Sequence, residues 1–136
     1  MEIPDNVIVK VICGEINDIR GPVEGIAAQP TLFDVNIPAG GSFEYSLNQN
    51  QNVAAYIFKG TAYFDDNVEV EELTSVVFGE GDSVRIEARN NSVRALLISG
   101  VPLNEEIAWN GPIVMNTEGE LKTAFNEFRN GTFIKT

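Results

Sequence analysis

Short runs of β-branched and aromatic residues, each closed by a cluster of Gly, Pro, Asn or Asp, recur along the first hundred residues of this chain. Runs of this length suit strands rather than helices, and their even spacing predicts an all-β sandwich or barrel. About nine can be counted. Val7–Cys13 comes first, followed by Thr31–Ile37, which ends at Pro38-Ala39-Gly40-Gly41, and by Ser42–Leu47, which ends in the polar stretch Asn48–Asn52. Val53–Phe58 is almost wholly apolar, Gly60 separates it from Thr61–Phe64, and Asp65-Asp66-Asn67 turns the chain toward Val68–Val70. Leu73–Phe78, Ser83–Ala88 and Val93–Ile98 complete the set, divided by Gly79-Glu80-Gly81-Asp82 and Arg89-Asn90-Asn91-Ser92, both turn-forming clusters.

Beyond Gly100 the periodicity changes. Thr117-Glu118-Gly119-Glu120 has the form of a helix cap with a glutamate three residues on, and Leu121, Ala124, Phe125 and Phe128 follow at helical spacing. A helix over about 117–130 is expected, ending at Asn130-Gly131, where a left-handed residue can stop it. With 136 residues the chain suits one domain, 1–136, burying roughly two-thirds of its unfolded surface. No repeat or low-complexity linker divides it.

Composition excludes several functions. Twenty acidic against nine basic side chains give a net charge of −11, which repels a phosphate backbone, so no nucleic-acid partner is expected. No apolar run reaches the ~18 residues of a membrane span. The opening Met1-Glu2-Ile3-Pro4-Asp5 has no secretory-signal pattern, which makes the cytoplasm the default location. There is no histidine, so neither a Ser-His-Asp nor a Cys-His pair can form, and no phosphate-binding glycine loop occurs. Cys13, the single cysteine, lies among aliphatic neighbours and reads as core packing rather than a nucleophile. The acidic run Asp65, Asp66, Glu69, Glu71 and Glu72 lacks a spaced ligand loop for calcium and reads as a solvated hairpin. Asp82 reads as a turn residue rather than a general base.

The segment from Pro38-Ala39-Gly40-Gly41 to Gly60-Thr61-Ala62-Tyr63, together with Gly79-Glu80-Gly81-Asp82, resembles the two sequence blocks of cupin barrels. The resemblance implies an all-β, cupin-type antiparallel β-barrel, a jelly-roll-like double-stranded β-helix, with one C-terminal α-helix. Counted from Gly41, Leu47, Gln49 and Val53 occupy the positions where an active cupin carries two histidines and a glutamate; counted from Gly40, the histidine positions fall on Ser46 and Asn48. Neither set suits a transition metal.

Gly14-Glu15 with Gly21-Pro22-Val23, Gly100–Glu105, Gly111–Thr117 and Phe128-Arg129-Asn130-Gly131 narrow the family further: they look like the second half of a pirin, and the similarity runs from about Val7 to Gly131. Asn110 departs from the pattern, since many pirins place a large side chain there. Pirins carry two cupin domains; the N-terminal one binds iron through histidines and a glutamate, and members are described as quercetin dioxygenases or, in animals, nuclear transcription cofactors. This chain is similar to the other half, so the resemblance implies no metal ligands and no cofactor here.

The resulting expectation is a non-catalytic, metal-free module acting through protein contact or self-association, with a homodimer or a separate barrel domain as partner, because a lone half would expose a face its partner covers. This reading leans against an enzyme. The alternative is a small-molecule-binding protein or enzyme that uses the barrel cavity without a transition metal and takes a small apolar ligand, and quercetin dioxygenation ranks below both. Tyr45, Leu47, Gln49, Tyr56, Phe58 and Trp109 are the candidates for lining or closing such a cavity, with Asn48–Asn52 at its mouth. For any one of these aromatic or apolar side chains, ordinary core packing is the stronger reading.

Overall fold

The computed structural model of the chain describes residues 1–48 and 50–135, with the backbone but not the side chain of Asp66. The chain divides into two compact units, Met1–Pro102 and Leu103–Thr136.

The first unit is built from strands β1 (Glu2–Ile3), β2 (Val7–Cys13), β3 (Glu15–Ile16), β4 (Ile19–Arg20), β5 (Thr31–Ile37), β6 (Ser42–Ser46), β7 (Asn52–Lys59), β8 (Ala62–Tyr63), β9 (Glu69–Val70), β10 (Thr74–Val77), β11 (Ser83–Ala88) and β12 (Val93–Gly100). A six-stranded sheet runs β1-β2-β5-β12-β7-β10 and a four-stranded sheet runs β6-β11-β8-β9, every pairing antiparallel. The two sheets share one core. Val7, Val9, Phe33, Val35, Ile37, Ala55, Ile57, Ala95 and Leu97 come from the larger sheet, and Phe43, Ala62, Val84, Ile86 and Ala88 from the smaller. These are alternate positions along their strands, so each strand presents one apolar row inward and the opposite row outward.

Turn chemistry sets the corners. Asn17 and Asp18 both hold positive φ (48° and 62°) in the two-residue connection between β3 and β4, a conformation these side chains tolerate and one that matches the twist of a hairpin. Between β5 and β6, Gly41 N–H donates to the Pro38 carbonyl at 3.0 Å, and Gly40 takes the left-handed position of the turn at φ 78°.

Leu73 is a local misfit: it holds φ 63° with 71% of its surface exposed, just before β10, while its N–H donates to the Ile57 carbonyl at 2.7 Å. A left-handed leucine is strained, and its side chain recovers little by burial. Leu73→Gly is therefore expected to raise stability by about 1 kcal/mol in urea melts; a loss of stability would show that the leucine packs usefully.

On the outer face of the larger sheet, Arg94 donates two hydrogen bonds to Asp34, Nε at 2.9 Å and Nη2 at 2.7 Å. Those bonds hold the Asp34 carboxyl below its ordinary range; partial burial opposes the shift, and the charges of Arg94 and Lys10 add to it. The folded pKa lies below the unfolded one, so this carboxylate's contribution is complete above the ordinary aspartate range and disappears as pH falls through the depressed value. The Arg94 side chain is more than half exposed, which keeps the contribution small and salt-sensitive. Asp34→Asn should lower the melting temperature slightly at pH 7 and converge with the parent protein in acid.

In the second unit, β13 (Ala108–Asn110) and β14 (Ile113–Met115) form a hairpin and are followed by α1 (Glu118–Asn130). The Thr117 hydroxyl accepts from Glu120 N–H at 3.2 Å, and the Glu120 carboxylate accepts from Thr117 N–H at 2.9 Å; Gly131 closes the helix at φ 72°. Leu121 and Ala124 bury against Ala108 and Ile113, with Met115 and Phe125 alongside. Phe128, placed in the same stripe by its spacing, is instead mostly exposed and meets the Phe133 ring edge-on at 6.3 Å. Asn110 sits opposite Ile113 in the hairpin, where Gly111 takes φ 54°. Among the described residues no helix is long and apolar enough to cross a membrane.

Candidate functional site

The residues proposed to line a barrel cavity do not converge. Tyr45 faces inward, packs edge-to-face on Phe33 with centroids 5.0 Å apart, and donates its hydroxyl to the Glu15 carbonyl at 3.2 Å. It also borders an open cavity of about 560 Å³ beside the β3–β4 hairpin. Leu47 packs against the core. Tyr56 and Phe58 lie on the outer face of β7, because Val53, Ala55 and Ile57 take the inward positions of that strand, and the two rings stack edge-on at 5.0 Å. Trp109 belongs to the second unit, where it is 73% exposed and its indole N–H donates to the Gly111 carbonyl at 2.8 Å. Gln49 lies outside the described residues.

The positions matched to cupin metal ligands are no better assembled. Val53 is buried in the apolar core, Leu47 packs on that core, and Ser46 and Asn48 are exposed. Among the described residues no three His, Cys, Asp or Glu side chains come together as a metal would require, and the sequence supplies no imidazole. The donor set of this chain does not fit the iron of the pirin resemblance. Asp65, Glu69, Glu71 and Glu72 are all solvent-exposed. Asp82 accepts from the Ser83 hydroxyl at 3.4 Å, and its carbonyl accepts from Leu47 N–H at 2.7 Å, as a turn residue does.

A different cavity, of about 610 Å³, is formed by the segment that joins β2 to β5. Two contacts hold that segment against β2, Val23 N–H donating to the Ile12 carbonyl at 3.3 Å and the Cys13 thiol to the Val23 carbonyl at 3.1 Å, and within the segment Gly21 N–H donates to the Gly14 carbonyl at 2.9 Å. The approach is close enough to require glycine at position 21, where an added Cβ would lie 2.5 Å from the Ile12 carbonyl. Cys13 and Thr31, both buried, lie at the inner side of the cavity; Val23 and Ile26, both more than 40% exposed, form apolar walls, and Glu15, Arg20 and Glu24 contribute charge. Arg20 Nε reaches Glu15 Oε2 at 2.6 Å. In sequence, the signal for this site was the glycine and proline punctuation from Gly14 to Pro30, which marks an irregular connection and says nothing of its hollow.

Two antiparallel sheets wound around one apolar core define a cupin. The model of the pirin C-terminal cupin domain matches residues 32–134, and the chain belongs to the pirin family. A pirin-like protein of Caulobacter vibrioides is 38% identical over 93% of this chain and 46% of its own length; pirin of Homo sapiens is 34% identical over 93% of this chain and 44% of its own. The crystal structure of a quercetin 2,3-dioxygenase from Acinetobacter baumannii superposes with a TM-score of 0.84 at 27% identity, covering 92% of this chain and 43% of that one. The chain thus spans about half the length of the curated relatives it matches.

These relatives correct one expectation. A non-catalytic, metal-free role does not agree with them: one solved neighbour is a quercetin 2,3-dioxygenase, and several sequence relatives carry that activity in their names. Quercetin 2,3-dioxygenase is the name of proteins of which this chain spans about half. Sequence reasoning erred by equating the absence of ligands in this chain with the absence of catalysis in whatever assembly the chain serves.

Proposed function

We propose that this chain serves in the metal-dependent oxygenation of a flavonol of the quercetin type, as one half of a two-barrel enzyme whose metal ligands lie outside it. The observation that carries this reading is the superposition on 43% of a quercetin 2,3-dioxygenase at a TM-score of 0.84. The missing donor set is consistent with a division of labour in which a histidine-bearing barrel holds the metal. This chain's own residues then supply structure and contacts to the organic substrate rather than the oxygen chemistry. A cytoplasmic location belongs to the same reading.

Oxygen uptake with quercetin and ferrous iron tests it, measured for the chain alone and for the chain joined to, or mixed with, a histidine-bearing barrel of the same family. Turnover in the combined protein and none in the chain alone is the expected result. Equal rates for the histidine-bearing barrel with and without this chain would overturn it.

A further inference from the structure

The two main sheets end in the strands β1, β10, β6 and β9. β1 and β9 are each two residues long, and β6 carries the exposed Glu44 at its centre. Short strands and charged side chains are what keep an edge from pairing with another chain. β10 has neither protection. It runs Thr74–Val77 at the border of the larger sheet, and the whole stretch Leu73–Phe78 holds no charge and no proline. Leu73 and Val77 are 71% and 81% exposed.

The register of β10 on β7 fixes which backbone groups stay free. Phe78 N–H donates to the Val53 carbonyl at 3.0 Å, and in an antiparallel ladder the groups facing the neighbouring strand recur at every second residue. Thr74 and Val76 therefore bond toward β7. The N–H and C=O of Ser75 and Val77 point to the open side, where no described residue is hydrogen-bonded to them. Side chains on the outer face add an apolar row: Leu32, Ile98, Ala54 and Val77 are register neighbours across β5, β12, β7 and β10. An apolar side chain placed beside Val77 extends that row.

Charge decides what can lie there. Glu71 and Glu72 precede the uncharged stretch and Glu80 and Asp82 follow it, all exposed and none in an ion pair among the described residues. A second copy of this chain is disfavoured. Pairing Ser75 with Val77 about a two-fold axis sets Glu72 of each copy opposite Glu80 of the other, pairing Val77 with itself sets Glu72 opposite Asp82, and pairing Ser75 with itself sets Glu72 opposite Phe78. Like charges directly opposite each other destabilise a strand pair, whereas a strand with basic ends meets carboxylates at both. We propose that the free edge of β10 receives an extended segment of a protein partner, β-branched at its centre and carrying lysine or arginine at both ends, as an added strand of the larger sheet.

Fluorescence anisotropy of a labelled peptide, Lys-Lys-Val-Thr-Val-Thr-Val-Lys-Lys, titrated with the full chain tests the edge, together with amide hydrogen exchange read by NMR. Saturable binding is expected, with protection of the Ser75 and Val77 amides. Replacing the peptide's lysines by glutamate, or its central valine by proline, should weaken binding about tenfold. Ser75→Pro removes an outward N–H and leaves the bonds to β7 in place, so it should abolish binding while circular dichroism stays unchanged. Glu71→Lys combined with Glu80→Lys alters no backbone group and should shift the preference to the glutamate-flanked peptide. Absence of saturable binding, equal affinity of the parent chain for the two peptides, or protection confined to other strands would each overturn the proposal. A concentration-dependent dimer that Ser75→Pro dissolves would overturn it in favour of a second copy, and protection of the same amides by a histidine-bearing barrel but not by the peptide would overturn it in favour of a domain interface.

Discussion

Phe33→Ala is expected to destabilise the first unit by about 4 kcal/mol, the range for removing a buried aromatic ring from a packed interior. Phe33 is fully buried on β5, and its ring meets Tyr45 of β6 edge-to-face at 5.0 Å, so the truncation opens a cavity where the two sheets join. Domains of this size have only about 5 to 15 kcal/mol to lose, and the variant should melt at much lower urea with an unchanged slope. Phe58→Ala is the control. That ring is 42% exposed on the outward row of β7, so the loss should be about 1 kcal/mol or less. Comparable losses for the two variants would mean that the assigned inward and outward rows are wrong.

Gly60→Ala should cost about 3 to 5 kcal/mol, from two causes that act together. Gly60 holds φ 82°, and an added Cβ would lie 2.2 Å from the Ser92 carbonyl oxygen, a backbone atom that cannot move aside without disturbing β12. Gly40 separates the causes, because it holds φ 78° with nothing within 4 Å of its ideal Cβ. Gly40→Ala therefore meets the conformational penalty alone, about 1 kcal/mol. Chemical denaturation of both variants checks the comparison; equal losses would show that the contact with Ser92 relaxes freely.

The two pairs of variants mark where sequence reasoning succeeds. Glycines at 40 and 60 were legible as turn punctuation, and Thr31–Ile37 and Ser83–Ala88 were legible as strands with the bounds the structure shows. A polar residue at every second position exposes the period of two along Ser83–Ala88. β7 offered no such contrast. Val53–Phe58 is apolar almost throughout, so nothing local says which row turns inward, and Tyr56 and Phe58 were assigned to an interior they do not face. The short hairpins β3–β4 and β13–β14 were missed because pairs of two or three residues are too brief to display a period.

The candidate site was less legible than the fold. Its parts lie on both sides of an irregular connection: Cys13 ends one strand, Thr31 begins another, and Val23 reaches Cys13 only through the fold-back at Gly21. No spacing rule relates such residues, since loops carry no period that sequence could display.

Local chemistry determined a great deal here: strands from β-branched runs, turns from glycine and asparagine, a capped helix from Thr117 and Glu120, and no imidazole donor for a metal within this chain. Tertiary structure alone decided which row of β7 faces the core and where a hollow remains between β2 and β5. The physical reason is range. Propensity, capping and turn formation act between neighbours, whereas the facing of an all-apolar strand and the shape of a cavity follow from contacts between segments that only the assembled sheets bring together.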